Sequence, residues 1–322
     1  MATFLIRRIF WAIFLFLAAT IITYLIFFVI PADPAALACG KACNAQDVAR
    51  VAHAMHLDEP VWRQYIRFLW NLIGHGSLGH SFVNRQSVRY LIGQDAPVTA
   101  SLVFGGAILW LSLSIPIGVL SALKPRSLLD RLSMTFVLVG ISAHPVWIGL
   151  ILSYLFGYKF GVTPIAGYCN FFGGTSATCG GPVQWAYHLI LPWCTFMVLF
   201  AALYVRLVRA NVMETMNEDY VRTARAKGAS ERRVMIHHVL RNSMLPVVTI
   251  LGMDIGLALG GAVFTESIFN LPGLGREVIS AYNNNDLPLI TGVVVFATIA
   301  IIIFNLIVDI AYAFMDPRIE LT

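Results

Sequence analysis

The sequence predicts an all-α polytopic membrane protein with six membrane-spanning helices. The first observation is composition: 58% of the 322 residues are hydrophobic and only 12% are charged. Soluble domains carry about 25% charged residues, and the mean hydropathy of this chain is +0.75. The second observation is that apolar residues gather into runs long enough to cross a hydrocarbon core of about 30 Å. The third is that basic residues gather between alternate runs.

Each predicted span is a predominantly apolar run of about 20 residues or more. The spans are Ile9–Ile30, Pro97–Leu123, Leu132–Tyr158, Val183–Val205, Pro246–Phe264 and Leu287–Val308. The first run follows two arginines, as the apolar core of a signal peptide does. It is longer than such a core, however, and no small-residue cleavage site follows it. We therefore expect a retained helix.

The short loops predict the orientation. Basic residues precede the first span at 7–8, separate the second and third spans at 124–131, and fill the stretch 206–241. Short cytoplasmic loops carry an excess of Lys and Arg. We therefore expect a multi-pass protein of the cell (inner or plasma) membrane, with both termini and the loop 206–246 in the cytoplasm. The net charge of +5 reflects this topology, and no nucleic-acid partner is expected.

The stretch Asn217–Pro246 is polar, basic and set between two apolar spans. Asn217 is a suitable N-cap for a first helix that carries its acidic residues early and its basic residues late. Gly228 is suited to the left-handed conformation that ends a helix. Ser230 is a suitable cap for a second helix, which we expect to end near Asn242, before Pro246. The pattern fits a simple connecting αα-hairpin and also fits a docking surface for a soluble partner.

Motifs in this stretch and beyond it carry a family resemblance. ARAKG (224–228) followed by RNSMLP (241–246) resembles the loop by which ABC-importer permeases dock onto their ATPases. Arg222, Thr223 and Ala224 stand at the EAA positions of that family's pattern, and Gly228 at its glycine. The form RTARAKG is similar to the dipeptide, oligopeptide and nickel permease branch. Six further motifs also resemble sequences of that branch. They are PADP (31–34), HLDEP (56–60), HGSLGHS (75–81), HLILP (188–192), FNLPGLGREV (269–278) and MDPR (315–318).

The resemblance implies an architecture and a set of partners. It implies a type I ABC-importer core of five spans in 97–313, preceded by an extra span and an outward-facing domain in 1–96, with a cytoplasmic tail at 314–322. The partners would be a second permease subunit, two cytoplasmic ATPases and an extracytoplasmic substrate-binding protein, within membrane lipid. The cytoplasmic coupling loop would span 211–246. Its ATPase-coupling residues would be Tyr220, Arg222, Thr223, Ala224, Arg225, Ala226, Lys227, Gly228, Ala229 and Ser230.

Catalytic motifs are missing from the sequence. It has no GxxxxGK[ST] phosphate loop, no HExxH and no GxSxG. Gly76–Gly79 has a loose likeness to an intramembrane serine protease element, but Ser77 falls in the outward segment and no histidine shares a span with it. We therefore expect a non-catalytic subunit that binds no cofactor itself, with ATP and Mg²⁺ held by partner subunits.

Asp254 and His144 are the candidate residues of a substrate path. Ionisable groups inside spans are costly and are functional hypotheses by default. Asp254 lies near the middle of the fifth span among glycines, which would either admit a neighbouring helix or leave room along a pore. The carboxylate would face cationic peptide groups, or it would be protonated or bonded to a neighbouring helix. His144 precedes Pro145, which is expected to break the third span. His144 and His188 also fit helix-packing or interfacial roles better than metal binding, and Asp309 fits an ion pair with Arg206 or Arg209.

Four of the five cysteines fall in outward segments, where disulfides are permitted. The pairs Cys39–Cys43 and Cys169–Cys179 are the hypothesis. A metal site is the weaker alternative, because no histidine or carboxylate stands at ligand spacing from them. No metal is expected.

The function expected from these observations is ATP-driven import of di- or oligopeptides by alternating access. Import of nickel chelates or glutathione by the same architecture remains open. An ion-coupled secondary carrier using Asp254 is the alternative from another class, and a membrane-embedded enzyme is a third. The basic loop favours the importer, since a carrier needs no ATPase dock.

Overall fold

The computed structural model describes residues 2–29, 34–39, 44–54, 56–172 and 179–315. Within those ranges the regular structure is helical. The N-terminal helices are α1 (Ala2–Tyr24), α2 (Pro34–Cys39), α3 (Ala45–Ala54) and α4 (Val61–His75). The central helices are α5 (Val88–Leu123), α6 (Leu128–Ser142), α7 (Pro145–Leu152), α8 (Pro182–Met216), α9 (Asp219–Ala226), α10 (Glu231–Arg233) and α11 (Arg241–Ser243). The last are α12 (Leu245–Leu259), α13 (Val263–Ile268), α14 (Leu274–Asn283) and α15 (Leu287–Met315). Three π-helical segments continue α1, α7 and α10, at Leu25–Val29, Ser153–Lys159 and Val234–Leu240.

The protein is an all-α polytopic membrane protein. Single helices long and apolar enough to cross a membrane are Ile6–Val29, Val88–Leu123, Pro182–Met216 and Leu287–Ala311. Two bent pairs bring the total to as many as six: Leu128–Ser142 with Pro145–Lys159, and Glu231–Ser243 with Leu245–Leu259.

The third predicted span is not one straight helix. Its two parts meet at an angle of 104°. A proline disfavours the helical conformation of the residue before it, so α6 ends before His144 and Pro145 starts α7. The break that the His-Pro pair predicted is therefore present, and it bends the span sharply.

Two other helices differ in extent from the predicted spans. α5 begins at Val88, well before Pro97, because the Ser87 hydroxyl caps it by accepting from the Tyr90 amide at 3.3 Å. α12 ends at Leu259 instead of continuing to Phe264, because Gly261 adopts a φ of +129° that a helix does not allow.

The glycine contacts between the long helices show their relative directions. α5 and α8 run parallel, with Gly106 against Phe196 and Gly118 against Val208. α12 runs antiparallel to α15, so that Gly256 meets Ile301 and Gly260 meets Ala297. The bundle therefore has two ends. The module end carries α9–α11, and the opposite end carries the starts of α5 and α15.

Two predicted contacts were wrong. Asn217 ends α8 instead of capping α9, whose N-cap is Glu218. Asp309 pairs with Arg8 of α1 at 2.8 Å, not with Arg206 or Arg209. Arg209 is already engaged by Asp130, at 2.7 Å. The Arg8–Asp309 pair thereby joins the first span to the last. The two residues are too far apart in the sequence for this pairing to be predicted from it.

The segment after the first span folds back on it through α4. Tyr65 of α4 lies 3.0 Å from the Thr20 hydroxyl, and Tyr24 donates to Gln64 at 3.0 Å. The opposite face of α4 remains exposed, including Trp62 at 59% and Ile73 at 71%. Residues 31–33 of PADP, Cys43 and the tail from residue 316 lie outside the described residues.

Candidate functional site

The polar module, residues 217–246, is a helix–turn–helix closed by Gly228. That glycine has a φ of +80°. Its amide donates to the Arg225 carbonyl at 2.9 Å, and the Ala229 amide donates to the Ala224 carbonyl at 3.2 Å. These two bonds form the Schellman arrangement that ends a helix in a left-handed residue. Ser230 then takes the N-cap position of α10, as the sequence predicted, although its side chain accepts no capping bond.

One face of the module is packed against the bundle. Val221, Val234 and Val239 are fully buried, in the same apolar cluster as Val212 of α8. Tyr220 joins the two arms, since its hydroxyl donates to the His238 carbonyl at 3.3 Å and accepts from Asn242 at 2.7 Å. The module is therefore fixed on the end of α8, and α8 itself extends into the predicted loop as far as Met216.

The other face is polar and exposed. Arg225 and Glu231 pair across the turn at 3.0 Å, and the Arg222 side chain is 68% exposed. Of the predicted coupling residues, Ala224, Arg225 and Ala229 are half-buried. The exposed ones are Tyr220, Arg222, Thr223, Ala226, Lys227, Gly228 and Ser230. A basic surface on a packed support is thus presented at the end of the bundle.

Asp254 lies in the wall of a cavity of 310 Å³ between α8, α12 and α13. It is half-buried and accepts a hydrogen bond from the buried Tyr204 at 2.7 Å. The described lining residues are Pro145, Thr195, Phe196, Leu199, Phe200, Asp254, Leu257, Ala258, Gly261, Ala262, Val263, Phe264 and Thr265. Asp254 is the ionisable side chain among them. It both bonds to a neighbouring helix and faces a cavity.

The glycines around Asp254 serve helix packing. A Cβ at Gly256 would lie 2.8 Å from the Ile301 Cα, and one at Gly260 would lie 2.7 Å from the Ala297 Cβ. Both contacts are too close for real side chains, so these glycines let α12 approach α15. Of the two roles that the sequence left open for them, close approach is the one observed. Asp254 projects from the other side of α12.

His144 lies beside the same cavity but does not line it. Its Nδ1 accepts from the Val146 amide at 3.3 Å, which caps α7. Its ring packs edge-to-face on Phe264, a lining residue, at 5.1 Å. The two candidate path residues are therefore brought into one neighbourhood through Phe264, with His144 in a capping role.

Cys169 and Cys179 are close to a histidine that sequence spacing did not reveal. Cys169 and Cys179 form a disulfide with a Cα–Cα distance of 5.2 Å. His188 lies 3.4 Å from the Cys169 sulfur and 2.9 Å from the Gln184 carbonyl. Cys39 is also disulfide-bonded, while its predicted partner Cys43 lies outside the described residues.

Glu266 is a buried functional candidate that sequence reasoning missed. It is fully buried and accepts from the Thr99 hydroxyl at 2.7 Å and from the Gly275 and Arg276 amides at 2.8 and 3.1 Å. It thus caps the start of α14. Burial raises the pKa of Glu266, and these hydrogen bonds offset part of that rise. The available sequence indication was a lone glutamate just before the glycines of LPGLG.

Asp130 is a second buried acidic residue that sequence reasoning missed. It receives a bidentate contact from Arg209 at 2.7 and 3.1 Å and a hydrogen bond from Ser121. The Arg126 amide adds a further bond at 2.8 Å. These partners come from α5, the loop that follows it and α8. Because Arg209 lies far from the other residues in the sequence, no short motif indicates that they form a cluster around Asp130. It links three elements at the module end.

Comparison with known proteins identifies the family. Residues 114–321 match the model of the "Binding-protein-dependent transport system inner membrane component" family, and residues 1–103 match the corresponding N-terminal model. Dipeptide transport system permease protein DppB of Escherichia coli (strain K12) is 34% identical over 337 residues, covering 99% of each chain. The "Probable peptide ABC transporter permease protein y4tP" of Sinorhizobium fredii (strain NBRC 101917 / NGR234) is 34% identical over 320 residues, covering 99% of this chain and 100% of that one.

A solved structure described as "an amino acid ABC transporter with histidines" covers 72% of this chain and 95% of its own. Its sequence identity is 14% and its TM-score is 0.47. The sequence matches extend over nearly the whole chain, and they agree with the membrane helices described above. The chain belongs to the family of binding-protein-dependent transport system inner-membrane components, as an ABC transporter permease.

Proposed function

We propose that this chain is a pore-forming subunit of an ATP-driven importer for di- or oligopeptides. The observation that carries the proposal is the module: a basic, exposed surface on a rigidly packed support at one end of the bundle. The names of the full-length relatives, one for dipeptide and one for peptide transport, support peptides as cargo.

The proposed assembly contains a second permease, two ATPases and a substrate-binding protein. The module would dock on an ATPase at the cytoplasmic face, and both termini would then lie in the cytoplasm. This chain would contribute no catalytic group, and ATP with Mg²⁺ would bind to the ATPases. Closure of the ATPases would move the module with α8 and α12, which it joins, and so reorient the cavity that Asp254 lines.

The cavity supports a role in passage of the cargo. Its walls are mostly apolar and contain one carboxylate. Such a site suits a peptide, whose α-ammonium group would face Asp254 while side chains contact the apolar walls. Nickel chelates and glutathione remain alternative cargoes for the same architecture.

The test is purification of the chain from its native membrane, followed by identification of the co-purifying proteins and reconstitution of uptake. We expect ATPases to co-purify, and we expect uptake of labelled dipeptide to require internal ATP. Uptake driven by a proton or sodium gradient, without ATP and without a bound ATPase, would instead establish an ion-coupled carrier. Substituting nickel chelate or glutathione for dipeptide in the same vesicles tests the cargo separately.

A further inference from the structure

A second and larger cavity, of 590 Å³, lies at the end of the bundle opposite the module. The first span contributes Tyr24 and Phe28, and the first turns of α15 contribute Pro288 and Thr291. The position follows from chain direction, because Arg8, near the start of the first span, pairs with Asp309, near the end of the last. α4 and residues of the segment 77–85 form most of the other walls, and Ala38 of α2, Val51 of α3 and His56 complete them. None of these residues belongs to the candidate peptide path.

The side chains that can carry charge in this cavity are basic. They are His56, Arg67, His80 and Arg85, and the described lining includes no aspartate or glutamate. Arg67 uses its Nη2 to pair with Glu59 at 2.8 Å. Its Nη1 is buried and has no hydrogen-bond partner among the described residues. Leaving a guanidinium nitrogen withdrawn from water without a partner costs free energy, and an anion that reached it from the cavity would offset that cost.

Thr291 supplies a second unpaired group. It is only 2% exposed, yet its hydroxyl has no hydrogen-bond partner within the described chain. A threonine in a helix commonly donates to the carbonyl four residues earlier, as Thr298 of the same helix does to Val294 at 2.9 Å. Thr291 makes no such bond. Buried hydroxyls are usually satisfied, and because Thr291 lines the cavity, an occupant of the cavity would supply the missing partner.

The remaining walls are apolar and lead onto the membrane surface. Aromatic rings of Tyr24, Phe28, Phe68 and Phe82 line the cavity. Beside it, the first span exposes Ile22 at 57% and Ile26 at 46% to its surroundings. An occupant with an anionic head and an apolar tail satisfies both features. The head would reach Arg67 and Thr291, and the tail would lie along the first span.

The position of the cavity along the membrane normal distinguishes between such occupants. It lies where the first span ends and the last begins, which is the level of lipid headgroups. The neighbouring α4 exposes Trp62, Ile66, Trp70 and Ile73, at 59%, 56%, 69% and 71%. Tryptophan on an otherwise exposed apolar face is typical of the membrane interface. A phosphodiester with acyl chains therefore fits better than a soluble anion.

We propose that this cavity binds the headgroup of an acidic phospholipid. Arg67 Nη1 and the Thr291 hydroxyl donate to the phosphate, and the acyl chains pack on the first span. The bound lipid would join α4, the first span and α15 at this end of the bundle, as the Arg8–Asp309 pair joins the first span to α15 at the other.

The experiment uses the full-length protein in its complex, in nanodiscs of phosphatidylcholine with a photoactivatable phosphatidylglycerol. Adducts are mapped by mass spectrometry of peptides. We expect labelling within residues 20–29, 61–75 or 288–291, lowered about tenfold by Arg67→Gln, because a charge-assisted hydrogen bond is lost. Thr291→Val keeps the shape of the side chain and is expected to lower labelling several-fold.

Arg63→Gln is the matched control. Arg63 lies on the same helix, over the Trp62 ring at 5.0 Å, and does not line the cavity. Labelling should be unchanged in that variant. Arg67→Gln also breaks the ion pair with Glu59 and so could prevent folding. If the Arg67→Gln protein does not fold, Thr291→Val is the decisive variant. Full labelling in Thr291→Val would overturn the proposal.

Competition separates the possible sources of the anion. Short-chain phosphatidylglycerol should abolish labelling, while inorganic phosphate at the same concentration should leave it in place. Equal competition by inorganic phosphate would show a simple anion site and overturn the assignment to lipid. Equal labelling by a photoactivatable phosphatidylcholine would overturn the preference for an acidic headgroup. Displacement by dipeptide alone would show a peptide site instead.

Discussion

At the residue scale, Gly228 holds a conformation that other residues enter only at a cost. Its φ is +80°, while a Cβ built on it meets no described atom within 4 Å. The cost of a substitution is therefore one of backbone strain, not of collision. For a β-branched residue in the left-handed region that strain is about 1–2 kcal/mol or more.

We expect Gly228→Val to insert normally and to lose both ATPase association and uptake, because relieving the strain would shift α9 relative to α10. Gly228→Asn is the matched control, since asparagine tolerates the left-handed region and there is room for its side chain. Co-purified ATPase and dipeptide uptake are measured for both. Full transport by a well-expressed Gly228→Val protein would refute the docking role.

Asp254 accepts a hydrogen bond from Tyr204 and also faces the cavity, and different substitutions test these two roles separately. Asp254→Asn removes the charge but still accepts from Tyr204, whereas Tyr204→Phe removes that bond and keeps the charge. If the carboxylate faces cargo, Asp254→Asn lowers uptake about tenfold or more, with normal complex yield and basal ATPase activity, because an interaction between charges is lost. Tyr204→Phe then has the smaller effect on uptake.

If Asp254 only joins α12 to α8, the order is reversed. Tyr204→Phe would then lower complex yield, while Asp254→Asn would transport normally. Measuring yield and uptake for both variants, with peptides of different charge, distinguishes these outcomes. Unchanged uptake in Asp254→Asn across all peptides would remove it from the path.

At the element scale, Glu266 holds the start of α14 against α5 through Thr99. Glu266→Leu would leave the Thr99 hydroxyl and two amides without an acceptor, at about 1–3 kcal/mol for each buried donor left unpaired. Glu266→Gln keeps an acceptor for the amides and a polar contact with Thr99. We expect a large fall in thermal stability for Glu266→Leu and a small one for Glu266→Gln, measured in detergent.

The same residue predicts a pH dependence. Burial raises the folded-state pKa of Glu266 above its ordinary 4.5. The folded state therefore binds this proton more tightly than the unfolded state does. Stability from this site is full below the ordinary pKa and is lost as pH rises through the raised pKa. The Tm of the wild type should fall relative to that of Glu266→Gln across this range, and parallel curves would contradict the assignment.

The elements that sequence predicted well are those with a local physical cause. Gly228 and the His144–Pro145 break depend on neighbouring residues alone, and both were predicted. The start of α5 was not, because apolar content marks the lipid-facing part of a helix and not the polar turns before it. Asp309 was assigned the wrong arginine, and Glu266 and Asp130 were missed. Their partners lie in other elements, and nothing in local sequence ranks one distant partner over another.

At the scale of the whole molecule, one apolar cluster runs from the module to the wall of the cavity. It contains Val221, Val234 and Val239 of the module, and Tyr204 and Ala258 beside Asp254. A packed core resists continuous deformation and moves as a unit. The cluster is therefore the physical element through which movement at the module would reach the cavity.

Val239→Ala tests that element without touching either surface. Val239 is fully buried, and losing two methyl groups costs about 2 kcal/mol, with more for any cavity that remains. We expect the complex to assemble and to hydrolyse ATP at close to the basal rate, while peptide imported per ATP falls several-fold, because the module moves without carrying α8 with it. Val162→Ala makes the same change at a side chain that is 58% exposed, and it should leave this ratio unchanged. An unaltered ratio in Val239→Ala would mean that coupling passes outside this cluster, through the backbone connections of the module to α8 and α12 alone.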